Sequence, residues 1–280
     1  MGRGVYLTQD IAAQVMGAIP RYSHRGFTGM GGRSMRLALI ADIHGNQEGF
    51  AAVLADVAAR GCDRIALLGD YVGYGPDPEW CCDKVMALAA AGAICLQGNH
   101  DQAVMGGVRD FSTNARVAME WTRPRLRADQ SAFLAGLPLM AQLGEVVLVH
   151  ASAEAPAEWI YVTNDSRATG ALRSCKARVV FCGHVHVPAL YAADLSGVVR
   201  EQRAKMGVPV PLIRSRRWLA VIGSAGQPRD RDPAAGYAIY DDVTAELTFR
   251  RVPYDCGKTA LKVRAAGLPE ALALRLLSGD

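Results

Sequence analysis

Five short polar motifs each follow a run of apolar residues: Asp42-Ile43-His44, Gly69-Asp70, Gly98-Asn99-His100-Asp101, Val149-His150 and Gly183-His184-Val185-His186. Together they hold five of the six histidines in the chain. Imidazole, carboxylate and amide carbonyl form a mixed nitrogen and oxygen donor set without thiolate. Such a set suits Mn, Fe, Zn or Ni better than an all-oxygen magnesium or calcium cage. The candidate ligands Asp42, His44, Asp70, Asn99, His150, His184 and His186 are too many for one tetrahedral ion. They match two divalent ions sharing one carboxylate, an arrangement that holds ions about 3.5–4 Å apart and clamps an in-line displacement at phosphorus. Taken singly, Asp-x-His and Gly-Asp carry little information; the ordered set of five carries the reading. No motif suggests a serine or cysteine nucleophile.

These side chains need a scaffold that ends several strands at one place. Apolar runs at 37–41, 64–68 and 93–97 read as strands. Helical spacing of apolar residues covers 47–60, and Pro78 fits the first turn of a helix to 91. Strand, helix, strand, helix, strand with short links implies parallel pairing and an α/β core. In such sheets ligands bind in the loops just beyond the strands, where all five motifs fall. Helices are expected at 114–122 and 129–134. Strands follow at 139–143 and 146–149, joined by the two-residue hairpin Gly144-Glu145. Further strands are expected at 179–182, 189–193, 209–213, 218–222, 237–240 and 247–252, then a helix pair at 256–265 and 269–276. Two packed sheets flanked by helices follow from this order, in a single domain over 35–280.

Composition narrows the remaining classes. Half of the 280 residues are hydrophobic and 21% are charged, which excludes a disordered chain. No apolar run is long enough for a membrane span. The net charge is +4, and most of it comes from Arg3, Arg21, Arg25 and Arg33, opposed only by Asp10, in residues 1–34. That stretch, which also holds His24, reads as a flexible N-terminal extension, as from a start codon assigned too early. The rest is nearly neutral and does not favour a nucleic-acid partner; Arg214-Ser215-Arg216-Arg217 reads as a solvated loop. Seven cysteines without a C-x-x-C pair read as free thiols in a reducing, cytoplasmic setting. Oligomeric state is left open.

The order Asp-x-His, Gly-Asp, Gly-Asn-His-Asp, His, Gly-His-x-His resembles the calcineurin-like metallophosphoesterase superfamily. The resemblance spans roughly residues 35–252. It implies a four-layer α/β sandwich, two mixed β-sheets flanked by helices. It implies that Asp42, His44 and His186 hold one metal, that Asp70 bridges, and that Asn99, His150 and His184 complete the second. His100 would be the catalytic residue, facing the scissile phosphate to stabilise charge or protonate the leaving oxygen. The segments 69–78 and 223–230 resemble a bacterial and archaeal branch described as diadenosine tetraphosphatase-like or YfcE-like. The implied activity is hydrolysis of a phosphodiester or dinucleoside polyphosphate by a metal-held hydroxide, with manganese the expected ion in assay. The alternatives are a phosphomonoesterase and a non-catalytic metal-binding scaffold. The partner expected is a small-molecule phosphoester.

Departures from the family pattern are informative. Gly73 and Tyr74 stand where protein phosphatases of the superfamily carry Asp and Arg, so the carboxylate that orients the catalytic imidazole is missing there. Ala151 follows His150 in place of the usual Gly. Candidate substrate-binding residues are Arg229, Gln227 and Tyr74. Arg229 either forks onto a phosphate oxygen or pairs with Asp230 or Asp232 at the surface. Tyr71 and Tyr74 either stack on a base or pack in the core. Asp101 either positions His100 or caps the helix behind it.

Overall fold

The computed structural model describes residues 35–107 and 111–280. The expectations for residues 1–34, His24 included, lie outside them. Two six-stranded sheets form the centre. In chain order the elements are β1 (Arg36–Ile40), α1 (Gln47–Ala59), β2 (Arg64–Leu67), α2 (Pro78–Ala90), β3 (Ile94–Cys95), α3 (Asn99–Ala103), α4 (Thr113–Thr122) and α5 (Ala128–Ala135). Next come β4 (Met140–Leu143), β5 (Val146–Val149), α6 (Asp165–Arg173), β6 (Val179–Cys182), β7 (Ala189–Ala193) and β8 (Val199–Gln202). The chain closes with β9 (Val210–Pro211), β10 (Arg217–Val221), β11 (Ala235–Asp241), β12 (Glu246–Val252), α7 (Cys256–Ala265) and α8 (Glu270–Ser278).

The first sheet runs β3-β2-β1-β11-β12-β9 and the second β4-β5-β6-β10-β7-β8. Within the first, β1, β2 and β3 are mutually parallel; within the second, β5, β6 and β10 are. The remaining pairings are antiparallel, so both sheets are mixed. Alternation along the strands divides the core. Leu37 and Leu39 of β1 face the second sheet and pack in one cluster with Leu148, Phe181, Trp218 and Tyr240. Ala38 and Ile40 face outward under Phe50, Val53 and Val57 of α1 and Val85 of α2. On the far side Val180, Cys182 and Val221 pack under Ala168, Ala171 and Leu172 of α6. The result is the four-layer α/β sandwich. A fourth cluster joins α4 to α7 and α8 around Tyr74.

Several expectations need correction. The strand expected at 209–213 shrinks to two residues, because prolines at 209 and 211 remove ladder donors and confine it to the sheet edge. The strand at 93–97 keeps only Ile94–Cys95. Helix α6 and strand β8 were not expected. The α6 sequence is polar overall, its buried face only Ala168, Ala171 and Leu172, and β8 is an edge strand whose charged residues face water. Arg217 is not in a solvated loop: it begins β10 and donates to the carbonyls of Ala177 and Cys175. All seven cysteines are free thiols. No helix among the described residues is long and apolar enough to cross a membrane.

Candidate metal centre

The three parallel strands of each sheet end at the same edge of the sandwich. Asp42 and His44 follow β1, Asp70 follows β2, and Asn99 and His100 open α3 behind β3. From the other sheet, His150 follows β5, His184 and His186 follow β6, and Gln227 and Arg229 follow β10. Backbone hydrogen bonds tie these loops together. Asp42 N–H donates to Gly69 O (3.0 Å), and His44 N–H to Asp70 O (2.9 Å), so the first two loops run side by side. Across the sheets Gly226 N–H reaches Asp42 O (2.9 Å), and Ser224 Oγ donates to the same oxygen (2.7 Å). Close approach demands glycine at 98, where a Cβ would overlap the Asp70 carboxylate.

The seven candidate ligands converge, all but Asn99 almost wholly buried. His44 Nε2 lies 3.1 Å from His186 Nε2, which lies 3.5 Å from Asp42 Oδ1. His150 Nε2 lies 3.1 Å from His184 Nδ1 and 3.2 Å from Asn99 Oδ1. Asp70 Oδ2 stands between the two groups, 3.5 Å from His44 Nε2 and 3.4 Å from His150 Nε2. Asp42-His44-His186 and Asp70-His150-His184 are thus each compact enough to hold an ion, and so is His44-Asp70-His100.

Donor chemistry shows that these residues fit cations. The Nδ1 atoms of His44, His150 and His186 face the carbonyls of Val72 (3.2 Å), Leu68 (2.8 Å) and Gln227 (2.6 Å). A carbonyl only accepts, so each Nδ1 carries hydrogen, and the neutral rings of His44 and His186 turn an Nε2 lone pair inward. Acceptor atoms at 3.1–3.5 Å then face one another with few donors between them, which a divalent cation resolves. The charges agree. Burial holds His44 and His186 well below the ordinary histidine value and takes His184 down to about 3. His150 is the exception: burial opposes its charge, but the Asp70 carboxylate, joined by Asp42 and the Leu68 carbonyl, outweighs it and lifts that ring to about 9, so a cation there must displace the Nε2 proton. Asp70 itself is held well below the carboxylate range, because the imidazoles of His150, His100 and His44 outweigh burial. Burial, reinforced by the Asp70 charge, pushes Asp42 up to about 7.

His100 sits over the Asp70 side of the cluster, its backbone N–H donating to Asp70 Oδ1 (2.8 Å). Its ring is caged by His44, Tyr74 and Phe111, with centroids 4.7, 4.6 and 4.7 Å away. Its Nδ1 is buried without a hydrogen-bond partner. Gly73, at φ +83°, lies against that nitrogen, and a Cβ there would overlap it. Ring packing, rather than a hydrogen bond to Nδ1, holds the imidazole. Asp101 both caps and clamps: its carboxylate accepts from Gly98 N–H (2.9 Å), Asp70 N–H (2.8 Å) and Tyr71 N–H (2.9 Å). Burial beside Asp70 pushes Asp101 up to about 7, against the pull of those donors.

The remaining candidates separate. Tyr71 belongs to the core, its hydroxyl bonded to the carbonyls of Leu67 and Leu96. Tyr74 lines the site, its ring 4.6 Å from that of His44 and 5.6 Å from the Arg229 guanidinium. Arg229 does not pair with Asp230 or Asp232; Arg251 takes both. Gln227 Oε1 instead accepts from Arg229 (3.0 Å), and its side chain is buried, so Gln227 touches the centre through its carbonyl on His186. Sequence reasoning missed Phe111, Trp159 and Tyr161. Trp159 lies edge-on to His150 (5.7 Å), and Tyr161 stacks on His184 (3.9 Å, 26°). No spacing rule flags them, since they arrive from loops.

Comparison with known proteins agrees with this geometry. The family model of the calcineurin-like phosphoesterase superfamily domain matches residues 35–244. The chain is 32% identical over 253 residues to the uncharacterized protein MJ0912 of Methanocaldococcus jannaschii, covering 87% of this chain and 98% of that one. It is similar to the crystal structure of a metallophosphoesterase from Sphaerobacter thermophilus, with a TM-score of 0.79 and 37% identity over 89% of this chain and 100% of that one. The hypothetical protein PH1004 from Pyrococcus horikoshii shares the fold, with a TM-score of 0.70 at 19% identity over 88% of this chain and 99% of that one. Fold and site together define a metal-dependent phosphoric ester hydrolase. The chain belongs to the calcineurin-like phosphoesterase superfamily.

Proposed function

We propose that the centre takes two divalent cations and hydrolyses a small-molecule phosphodiester, a dinucleoside polyphosphate among the candidates. The observation that carries this reading is Asp70 Oδ2, set 3.5 Å and 3.4 Å from one imidazole of each ligand group. Asp42, His44 and His186 would hold one ion, Asn99, His150 and His184 the other, with Asp70 shared. The ions would supply Lewis acidity: neutralised phosphate charge and an acidified water. The chain does the rest. Carbonyls of Val72, Leu68 and Gln227 fix the ligand rings. His100, with nothing facing its Nδ1 to hold an imidazolium, acts as a neutral N–H donor to the phosphate. Arg229, braced by Gln227 Oε1, offers its guanidinium to a further phosphoryl oxygen. The free thiols fit a reducing compartment, the cytoplasm.

The test compares bis(p-nitrophenyl) phosphate with p-nitrophenyl phosphate on metal-stripped protein resupplied with Mn²⁺, beside Asn99→Ala and His100→Ala. The expected result is two Mn per chain and turnover favouring the diester, lost in both variants. Monoester preference would make the protein a phosphomonoesterase. One ion per chain would refute the shared carboxylate. Full binding without turnover on any phosphoester would leave a scaffold.

A further inference from the structure

Between β5 and α6 the chain crosses the mouth of the metal centre. It is anchored at both ends, by buried Ala153 and Val162 in the cluster under α6. Between these anchors it presents two aromatic side chains. Trp159 adopts a left-handed backbone (φ 52°) and donates its indole N–H to Gln102 Oε1 (3.1 Å) on α3, the helix that carries His100. That bond pins the crossing segment to the catalytic side. Two residues on, Tyr161 lays one ring face on the imidazole of His184, with centroids 3.9 Å apart and planes at 26°. Half of the residue, 51%, stays open to solvent. A large ring left half exposed loses hydrophobic stabilisation that burial would give. It is not remote from the chemistry. The ring it stacks on belongs to His184, a candidate metal ligand.

We infer that Tyr161 is a specificity-determining residue: it is a stacking platform for a flat aromatic group esterified to the phosphate. This rests on the phosphoesterase reading of the centre. His184 covers one face of the ring, and an aryl or nucleobase ring would cover the exposed remainder while its phosphate meets the cluster. Stacking of a base on an aromatic side chain is tolerant of the base's identity, because every base has a π-face. The platform therefore selects planar groups over aliphatic ones without naming a particular base. The Arg229 guanidinium lies 5.6 Å from the Tyr74 ring, which itself packs 4.6 Å from the ring of His44.

The test is equilibrium binding to the Mn²⁺-loaded protein of three ligands with P–C bonds that cannot be hydrolysed: methylphosphonate, phenylphosphonate and the phosphonate analogue of adenosine monophosphate. Each is measured with the wild type, Tyr161→Ala and Tyr161→Phe, with bound manganese counted in parallel. The wild type should bind at least one planar ligand about 5- to 150-fold more tightly than methylphosphonate. Tyr161→Phe should keep that ratio, and Tyr161→Ala should lose it at unchanged manganese content. Preference for the phenyl ligand assigns an aryl ester, and preference for the adenosyl ligand a nucleotide. Equal binding of all three by the wild type, or a preference that survives in Tyr161→Ala, would overturn the platform. So would loss of manganese in Tyr161→Ala, which would reduce Tyr161 to a support for His184. Because the readout is binding, it stands even if the turnover assay finds no diester activity.

Discussion

Replacing Asp101 should damage both stability and metal binding, in a graded way. Its side chain is wholly buried. One oxygen, Oδ2, accepts from Asp70 N–H (2.8 Å) and Gly98 N–H (2.9 Å); the other accepts from Tyr71 N–H (2.9 Å). Asp101→Ala leaves three buried N–H groups without acceptors. Each such loss costs about 1–3 kcal/mol, and neighbours in one network do not add fully, so the total should be about 3–5 kcal/mol. Asp101→Asn retains one oxygen. Placed at the Oδ2 position it keeps two bonds and turns an NH₂ toward the Tyr71 N–H, for a cost of about 1–3 kcal/mol. Urea unfolding of metal-free protein measures both. For a chain of this size each kcal/mol moves the melting temperature by about 2–4 °C, so the alanine variant should melt about 6–20 °C lower. Because two of the freed N–H groups belong to the loop carrying Asp70 and the third, Gly98, precedes Asn99, manganese affinity should fall in the same order. An alanine cost below about 1 kcal/mol, or equal costs for the two variants, would refute the clamp.

Gly73→Ala should strain a left-handed position, at about 1–2 kcal/mol, and press on His100 Nδ1. Hydrolysis of the model diester should fall about 100-fold or more with manganese content unchanged; unchanged kcat would show that ring placement is not critical. Saturating Mn²⁺ should raise the melting temperature of metal-free protein by several degrees, since a ligand bound only by the folded state stabilises it; Asp70→Asn should abolish most of that rise. Asp56 should make an acid-labile contribution. Burial opposes its charge, but hydrogen bonds from Arg60 (2.8 Å) and Tyr237 (2.6 Å) hold its carboxyl below the usual range. A depressed carboxylate stabilises the fold above its unfolded value of about 3.9, and that contribution is lost as pH falls through the folded value. The stability gap between metal-free wild type and Asp56→Asn should therefore be full above about pH 5 and shrink below about pH 4; a gap that widens in acid would reverse the sign.

Much of the scaffold is legible in the sequence because the same physics writes both. Buried parallel strands need continuous apolar runs, and 37–41 and 179–182 stand out for that reason. The ligand residues are legible because imidazoles and carboxylates directly behind apolar runs serve no core purpose. What escapes follows equally physical lines. Strand β8 has its exposed residues charged, as an edge strand does, and so lacks the apolar signature. Asp101 reads in the sequence as a support for His100 or a helix cap; its hold on Asp70 and Tyr71 depends on two loops meeting across 31 residues of sequence. Tyr161 and Phe111 act through positions that only the folded chain defines.

The backbone of the metal centre shows why such a site must be distributed over two sheets. Among the described residues nine non-glycine residues occupy the left-handed region, and Asp42, His44, Asp70, Tyr74, His184 and His186 are six of them. Each follows a parallel strand closely, where the chain must reverse to aim a side chain back over the strand ends. Asp and His tolerate this region better than most residues, yet held strain still costs about 1–3 kcal/mol apiece. Across six positions that approaches the whole net stability of a domain, about 5–15 kcal/mol. The strain persists because the loops hold one another: Asp42 N–H on Gly69 O, His44 N–H on Asp70 O, Gly226 N–H on Asp42 O. A single loop could not sustain such backbone alone. Two sheets that end together let the three strained loops brace one another, and the donors they hold rigidly apart are then placed before any ion or substrate arrives.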